Sequence, residues 1–416
     1  LVLPEKCGVA KYENMQNHTM RRRLSTLAAI VVAAAIGLVT AAPAVARPPV
    51  AGELRLAAPT GPQQIGTVAL HLVDPARTDP WLPTHPPREV MAQVWYPADK
   101  VRDYLAAAWL SAGAVPHFEQ GLGLPAGLLH WPTTHAHAGA PVDQVKGGRP
   151  VVLFSAGFGL DRGMGTTIVE DLASHGYVVV AIDHTHEAGE VEFPGGRVET
   201  YAIPGEVDDA VIGQALAVRE ADSRFVLDQL VAINAGRNPD ADKRPLPPGL
   251  RGAFDLSRTG MFGHSLGGAT AAATMHDDPR VKAGINLDGT LFGTSATAGS
   301  DRPFLLLSSD IPAGQPEDPS WDEFWANQRG WKRELRLTGT THNSFTDFEV
   351  LFPQAAPVVG LTPEQVTQAI GTLDPVRAIR AQRAYIRAFF DLHLRHLDSH
   401  LFTGPSRRYP EMLFVR

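Results

Sequence analysis

The sequence predicts an α/β fold: a mostly parallel central sheet covered by helices on both faces. Three observations predict it. From residue 150 onwards, short continuous apolar runs alternate with helical stretches, the pattern of strands buried on both faces. Repetition of strand, helix and strand requires crossover connections and therefore parallel neighbours. Gly263-His264-Ser265-Leu266-Gly267 stands between one such strand and one such helix. That context is the nucleophile elbow of the α/β-hydrolase fold.

The elements follow in order. Residues 68–73 and 90–96 are β-rich and are expected to form an early antiparallel pair. Residues 150–155 are a buried strand bounded by Gly157. Residues 166–174 read as a helix, 177–182 as a second buried strand and 207–233 as a long helix. Residues 260–263 are a third core strand, and 266–276 a helix of small residues. Three more strands are expected at 283–287, 304–307 and 334–337, with closing helices at 362–370 and 376–396. Two segments break the rhythm. Residues 103–148 hold Trp109, Phe118 and Trp131 and are too long for a simple connection, so they are a candidate cap or lid. Residues 238–255 are rich in Pro and charge and read as a surface loop.

At 416 residues and 44% apolar, the chain can build one large core over residues 47–416. Formal net charge is −7, and residues 1–46 carry about +3 of their own, leaving an acidic body near −10. Such a body argues against nucleic acid as a partner and against broad electrostatic docking on anionic membranes. Residues 1–46 read as an export signal: Arg21-Arg22-Arg23, then an uncharged stretch over 27–39, then Ala44-Val45-Ala46 as the small-x-small cleavage pattern. The stretch is short for a spanning helix. Met15 or Met20 is the expected initiator, and Arg21-Arg22 also loosely fits a twin-arginine signal. The only cysteine, Cys7, precedes the cleavage site, so a secreted protein without thiol or disulfide is expected.

Ser265 is the expected nucleophile. Gly263 and Gly267 flank it where side chains would collide, and Gly268 lets the helix lie close to the sheet. A serine hydroxyl needs a base within hydrogen-bond reach, and in this fold the chain order is Ser, acid, His. Of the later histidines, His342 follows the strand at 334–337 through Thr338-Gly339-Thr340-Thr341, the place for a catalytic His. His276 lies on the helix leaving the elbow, and His393, His396 and His400 lie on or after the last helix. Two acids fit by position: Asp288 ends the strand at 283–287, and Asp310 follows the next one. The oxyanion amides are expected from Leu266 and from the loop Gly157-Phe158-Gly159.

Together these segments resemble the plasma-type platelet-activating-factor acetylhydrolase family of serine lipases. The likeness rests on residues 150–159, on 171–182, on Gly263-His264-Ser265-Leu266-Gly267-Gly268-Ala269-Thr270, on Gly284-Ile285-Asn286-Leu287-Asp288, and on Gly339-Thr340-Thr341-His342-Asn343-Ser344-Phe345. It runs from about residue 90 to 390. The resemblance implies Asp288 as the acid and Phe158 with Leu266 as the oxyanion donors. It implies a lipid or small ester substrate with transient contact at a lipid surface, and no cofactor. Ala156 stands where the family usually has His, which implies a lost polar contact behind the oxyanion loop.

Rival readings are a broader esterase, lipase or polyesterase, a non-catalytic binding module on a hydrolase scaffold, and a metallohydrolase built on His184 and His186. The last lacks a second ligand cluster at convincing spacing. His135-Ala136-His137 reads as a solvated loop, and Trp321, Trp325 and Trp331 as side chains packed under a long loop or as lid anchors.

Overall fold

The structure, a computed structural model, describes residues 53–311 and 316–416, so the expected export segment lies outside the described residues. The sheet begins with a long antiparallel hairpin, β1 (Ile65–Thr78) and β2 (Pro87–Pro97). Next come β3 (Ala106–Ala108), α1 (Ala114–Gly121) and β4 (Thr133–Ala138). β5 (Arg149–Ser155), α2 (Thr166–Ser174) and β6 (Val178–Asp183) form the first crossover. A small separate hairpin, β7 (Glu190–Glu192) and β8 (Val198–Thr200), precedes the long α3 (Asp209–Asn234). Then follow β9 (Phe254–His264), α4 (Leu266–Asp277), β10 (Val281–Leu287), α5 (Gly293–Ala298), β11 (Phe304–Ser308), α6 (Pro319–Asn327) and β12 (Lys332–Leu337). α7 (Phe348–Val359), α8 (Pro363–Ile370), α9 (Pro375–Arg395) and β13 (Met412–Phe414) close the chain.

The main sheet runs β13-β12-β11-β10-β9-β5-β6-β2-β1-β4-β3. Its centre, from β12 to β6, is wholly parallel, and β2 and β13 pair antiparallel at either side of it. Period-two alternation divides the core into two layers. On β5, Val151 and Leu153 join the cluster containing Leu227 and Leu230 of α3, whereas Val152 and Phe154 join the cluster containing Tyr385 and Phe389 of α9. β6 repeats this with Val178 and Val180 on one side and Val179 and Ala181 on the other. Sheet and helices thus form the three layers of an α/β-hydrolase fold.

Residues 103–148 do not stand apart. They supply β3 and β4 to the sheet, and β4 pairs parallel with β1. The expected solvated loop at His135-Ala136-His137 is therefore a strand. His135 Nδ1 meets Glu170 at 2.8 Å, and His137 Nδ1 donates to the Tyr104 carbonyl at 2.7 Å. Trp109, Phe118 and Trp131 pack together and onto Phe348 of α7. The Trp109 indole N–H donates to Asp347 at 2.9 Å. This segment therefore docks against the helix that follows the His342 loop. Trp321 and Trp331 are packed: the Trp321 indole donates to the Gly289 carbonyl, and Trp331 lies against Phe389, His393 and Phe402.

Glu349, on α7, is fully buried, and the Ser344 side chain is the polar group that partly offsets this burial. Burial pushes its carboxyl up to about 8. A raised folded value means that its contribution is complete below the ordinary Glu range and is lost as pH rises through about 8. Glu349→Gln is therefore expected to stabilise the protein by about 1–3 kcal/mol at pH 9 and hardly at all near pH 5. Urea unfolding at the two pH values checks this, and an equal gain at both would contradict it.

Candidate active site

The elbow is built by steric exclusion. Ser265 sits at φ 56° and ψ −125°, a conformation that L-residues rarely adopt and that tight packing must enforce. A Cβ on Gly263 would lie 2.2 Å from the Gly267 carbonyl. One on Gly267 would lie 2.0 Å from the Ser155 carbonyl oxygen, and one on Gly268 1.8 Å from Asn286 Oδ1. Glycine at these three positions lets β9 turn sharply into α4 while both stay against β5 and β10. The Ser265 amide continues the β10 ladder by donating to the Leu287 carbonyl at 2.9 Å.

Asp288 leaves β10 at φ 58°. Its turn is fastened by Asn286, whose amide donates to the Gly289 carbonyl at 2.6 Å and accepts from the Gly289 N–H at 2.9 Å. The Asp288 carboxylate accepts from the Ser309 N–H at 2.8 Å and from the Ser309 hydroxyl at 2.9 Å. It also accepts from His342 Nδ1 at 2.7 Å. Burial alone would raise this carboxyl, but the hydrogen bond and charge of His342, with both Ser309 donors, hold it below its ordinary value.

His342 opens a 3₁₀ turn, His342–Phe345, capped by Thr341 and Ser344. The turn is tied down at several points. The Thr341 hydroxyl donates to the Ala369 carbonyl, the Ser344 hydroxyl to the Ile370 carbonyl, and the Gln382 amide to the Ser344 carbonyl. Because a carboxylate only accepts, the Asp288 contact places the imidazole proton on Nδ1. Nε2 is left with its lone pair, the form that can take a proton from a hydroxyl.

His264, next to Ser265 in the chain, joins the two loops. Its Nε2 donates to the His342 carbonyl at 3.0 Å, and the two rings are 4.4 Å apart between centroids. Burial, followed by the neighbouring His342, holds its pKa well below the usual value, so it stays neutral. Ser265 Oγ itself makes no hydrogen bond among the described residues.

Phe158 lies on the turn after β5, where the Leu160 N–H donates to the Gly157 carbonyl at 3.1 Å and Gly159 takes φ 75°. The backbone amides of Phe158 and Leu266 have no partner among the described residues, and the ends of β5 and β9 that carry them abut at Gly267. Two free amides beside a helix N-terminus suit an anion. Phe158 also meets the ring of Tyr201 edge-on at 6.1 Å.

Asp310, the other acid that position allowed, lies elsewhere. Its carboxylate accepts from the Gly339 N–H and so braces the loop that leads to His342. His184 and His186 face carboxylates and a hydroxyl: His184 meets Asp222 and Ser155, and His186 meets Asp79 and Glu199. Asn286, Ser309 and His264 are supporting residues that the sequence alone does not assign, whereas Asp310, a candidate acid by position, accepts from Gly339 instead. Only the polar Asn286 inside an apolar strand offered a signal.

The sheet order and the elbow define the class, an α/β-hydrolase. The profile of the family described as platelet-activating factor acetylhydrolase, isoform II, matches residues 56–401. The chain belongs to that family. A relative from Arthroderma benhamiae, described as a probable 1-alkyl-2-acetylglycerophosphocholine esterase, is 29% identical over 278 residues, which cover 64% of this chain and 66% of that one. The platelet-activating factor acetylhydrolase of Cavia porcellus is 26% identical over 218 residues, 48% of each chain. The chain thus spans between about half and two thirds of the length of these curated relatives. Among solved structures, the ferulic acid esterase from Streptomyces cinnamoneus superposes with a TM-score of 0.72 at 38% identity, covering 88% of this chain and all of that one. No helix among the described residues is long and apolar enough to cross a membrane.

Proposed function

We propose that the chain is an exported serine carboxyl-ester hydrolase that works through Ser265, His342 and Asp288. The observation that carries this reading is the 2.7 Å bond from His342 Nδ1 to Asp288, made beside a serine held at φ 56° on a strand-to-helix turn. His342 Nε2 takes the Ser265 proton as the hydroxyl oxygen attacks the ester carbonyl. Asp288 holds the tautomer and stabilises the imidazolium that forms. The Phe158 and Leu266 amides bind the oxyanion. The imidazolium returns its proton to the leaving alcohol, and water releases the acyl group by the same route. The chain's own groups supply each of these steps.

The family and its curated relatives favour short-acyl lipid esters as substrate, with brief contact at a lipid surface. A second reading, esters of aromatic acids, is supported by the Phe158–Tyr201 edge beside the free amides and by the 38% identical esterase structure. Comparing kcat/KM on an alkyl-acetyl-glycerophosphocholine and on methyl ferulate separates the two. The first is expected to be hydrolysed at least about tenfold more efficiently, a difference of about 1.4 kcal/mol in transition-state binding. The reverse order, together with a selective loss on ferulate in Tyr201→Ala, would establish the second reading.

Export, with a mature chain beginning at Arg47 and one hydrolase domain over residues 47–416 that carries a cap or lid around 103–148, is part of the same proposal. N-terminal sequencing of the exported protein reads the cleavage point directly. A mature start elsewhere would overturn that part.

A further inference from the structure

Behind the loop that carries Phe158 lies a charged network almost closed to solvent. Its centre is Arg219 of α3, whose side chain is 1% exposed and pairs with Glu187, at 0%. All five guanidinium N–H groups are engaged. Nε and Nη2 donate to the two Glu187 oxygens, Nε at 2.7 Å. Nη1 donates to the Ala156 carbonyl at 2.5 Å and to Ser155 Oγ at 3.0 Å. Nη2 also donates to the Gly157 carbonyl at 3.0 Å. A second row backs the first. With Ser155 Oγ accepting from Arg219, its own proton goes to His184 Nε2 at 2.9 Å. His184 Nδ1 in turn donates to Asp222 at 3.0 Å, and Asp222 is held by Arg88 at 2.7 Å. The segment bearing Glu187 also holds the loop from its far side, through the Gly189 N–H to the Gly159 carbonyl at 3.1 Å.

We infer that Arg219 is a positioning residue that sets the oxyanion site by clamping two successive carbonyls of the β5 loop. The inference rests on the Ser265 reading above. In a trans peptide the C=O and N–H point in opposite directions. Pinning the Gly157 carbonyl to Arg219, behind the loop, therefore turns the Phe158 N–H away from the network and towards the elbow. A buried ion pair contributes little net stability compared with apolar residues of similar size. What Arg219 supplies is geometry: one rigid planar group bonded to two carbonyls and a carboxylate at once. Lysine, a single point of charge, cannot reproduce that fork. The polar contact expected to be missing beside Ala156 is thus made from α3, to the backbone of Ala156 itself.

The test compares Arg219→Lys, the double variant Glu187→Met/Arg219→Met, and Ser265→Ala. The first keeps a charge for Glu187, and the second removes both charges together so that neither is left buried alone. In the folded variants kcat/KM for a nitrophenyl ester should fall by about 10²–10³-fold, the range for losing one oxyanion donor. KM should change by less than about threefold, because the donor acts in the transition state. Affinity for a boronic acid that forms a tetrahedral adduct should fall in parallel, a readout that a purely structural role would not move. Folded variants with kcat/KM and boronate affinity near the parent values would overturn the inference, and so would failure of both variants to fold, which would make the pair a structural one. Activity retained in Ser265→Ala would instead overturn the Ser265 reading.

Discussion

Ser265→Ala is expected to lower kcat for ester hydrolysis by about 10⁵–10⁶-fold while the protein stays folded. Two observations set this size. Ser265 Oγ makes no hydrogen bond among the described residues, so its removal leaves no partner unsatisfied. Alanine keeps the Cβ and tolerates φ 56° no worse than serine does, because the clashes avoided at Gly263 and Gly267 involve other atoms. Stability should therefore change by less than about 0.5 kcal/mol, as for substitutions that disturb no packed or bonded group. The remaining rate would come from the oxyanion amides and substrate binding, about 10³–10⁴-fold over water. Steady-state kinetics with a nitrophenyl ester, beside a urea unfolding curve, measures both quantities. Unchanged activity in a folded variant would remove Ser265 from the mechanism.

Asp288→Asn is expected to cost about 10⁴-fold in kcat, against at most about tenfold for Asp310→Asn. The difference comes from what each carboxylate receives. Asp288 accepts from the Ser309 N–H, the Ser309 hydroxyl and His342 Nδ1. An asparagine there has one oxygen for these donors, and its NH₂ faces whatever the oxygen does not. With the NH₂ against His342, the imidazole must put its proton on Nε2, and the base disappears. Asp310 accepts one backbone N–H, from Gly339, which an asparagine oxygen can still accept. Kinetics of the two variants decide between the acids, and equal losses would contradict the account. The pH dependence has a definite sign. The Asp288 carboxyl is held low in the folded state, so its contribution is complete above the ordinary Asp range and is lost as pH falls through the depressed value.

The parallel centre of the sheet is legible in the sequence because it is buried on both faces. Runs such as Val151-Val152-Leu153-Phe154 and Val178-Val179-Val180 have few other uses in a chain of this composition. The edges are not legible in this way. β4 carries His135 and His137, which read as solvated until Glu170 and the Tyr104 carbonyl, distant in sequence, engage them. α7 contains Pro353 and Pro357, which argue against a helix, yet its apolar face is held by Phe348 and Leu351 in the Trp109 cluster. In the site, Ser265 and His342 follow from motif and chain order. Asp288 and Asp310 are equivalent by position; the family resemblance favours Asp288, and it is Asp288 that meets His342 while Asp310 meets Gly339. The brace on the oxyanion loop leaves a faint trace. Arg219 and Asp222 occupy the buried face of α3 in register with Leu216 and Val226, charges where apolar residues are expected.

Treatment with a fluorophosphonate, followed by peptide mapping, tests the central claim most directly. The account predicts one phosphonyl adduct, on the peptide containing Ser265, absent from His342→Ala and strongly slowed in Asp288→Asn. Undiminished ester hydrolysis by fully treated protein, or an adduct on a different residue that accompanies the loss of activity, would contradict it.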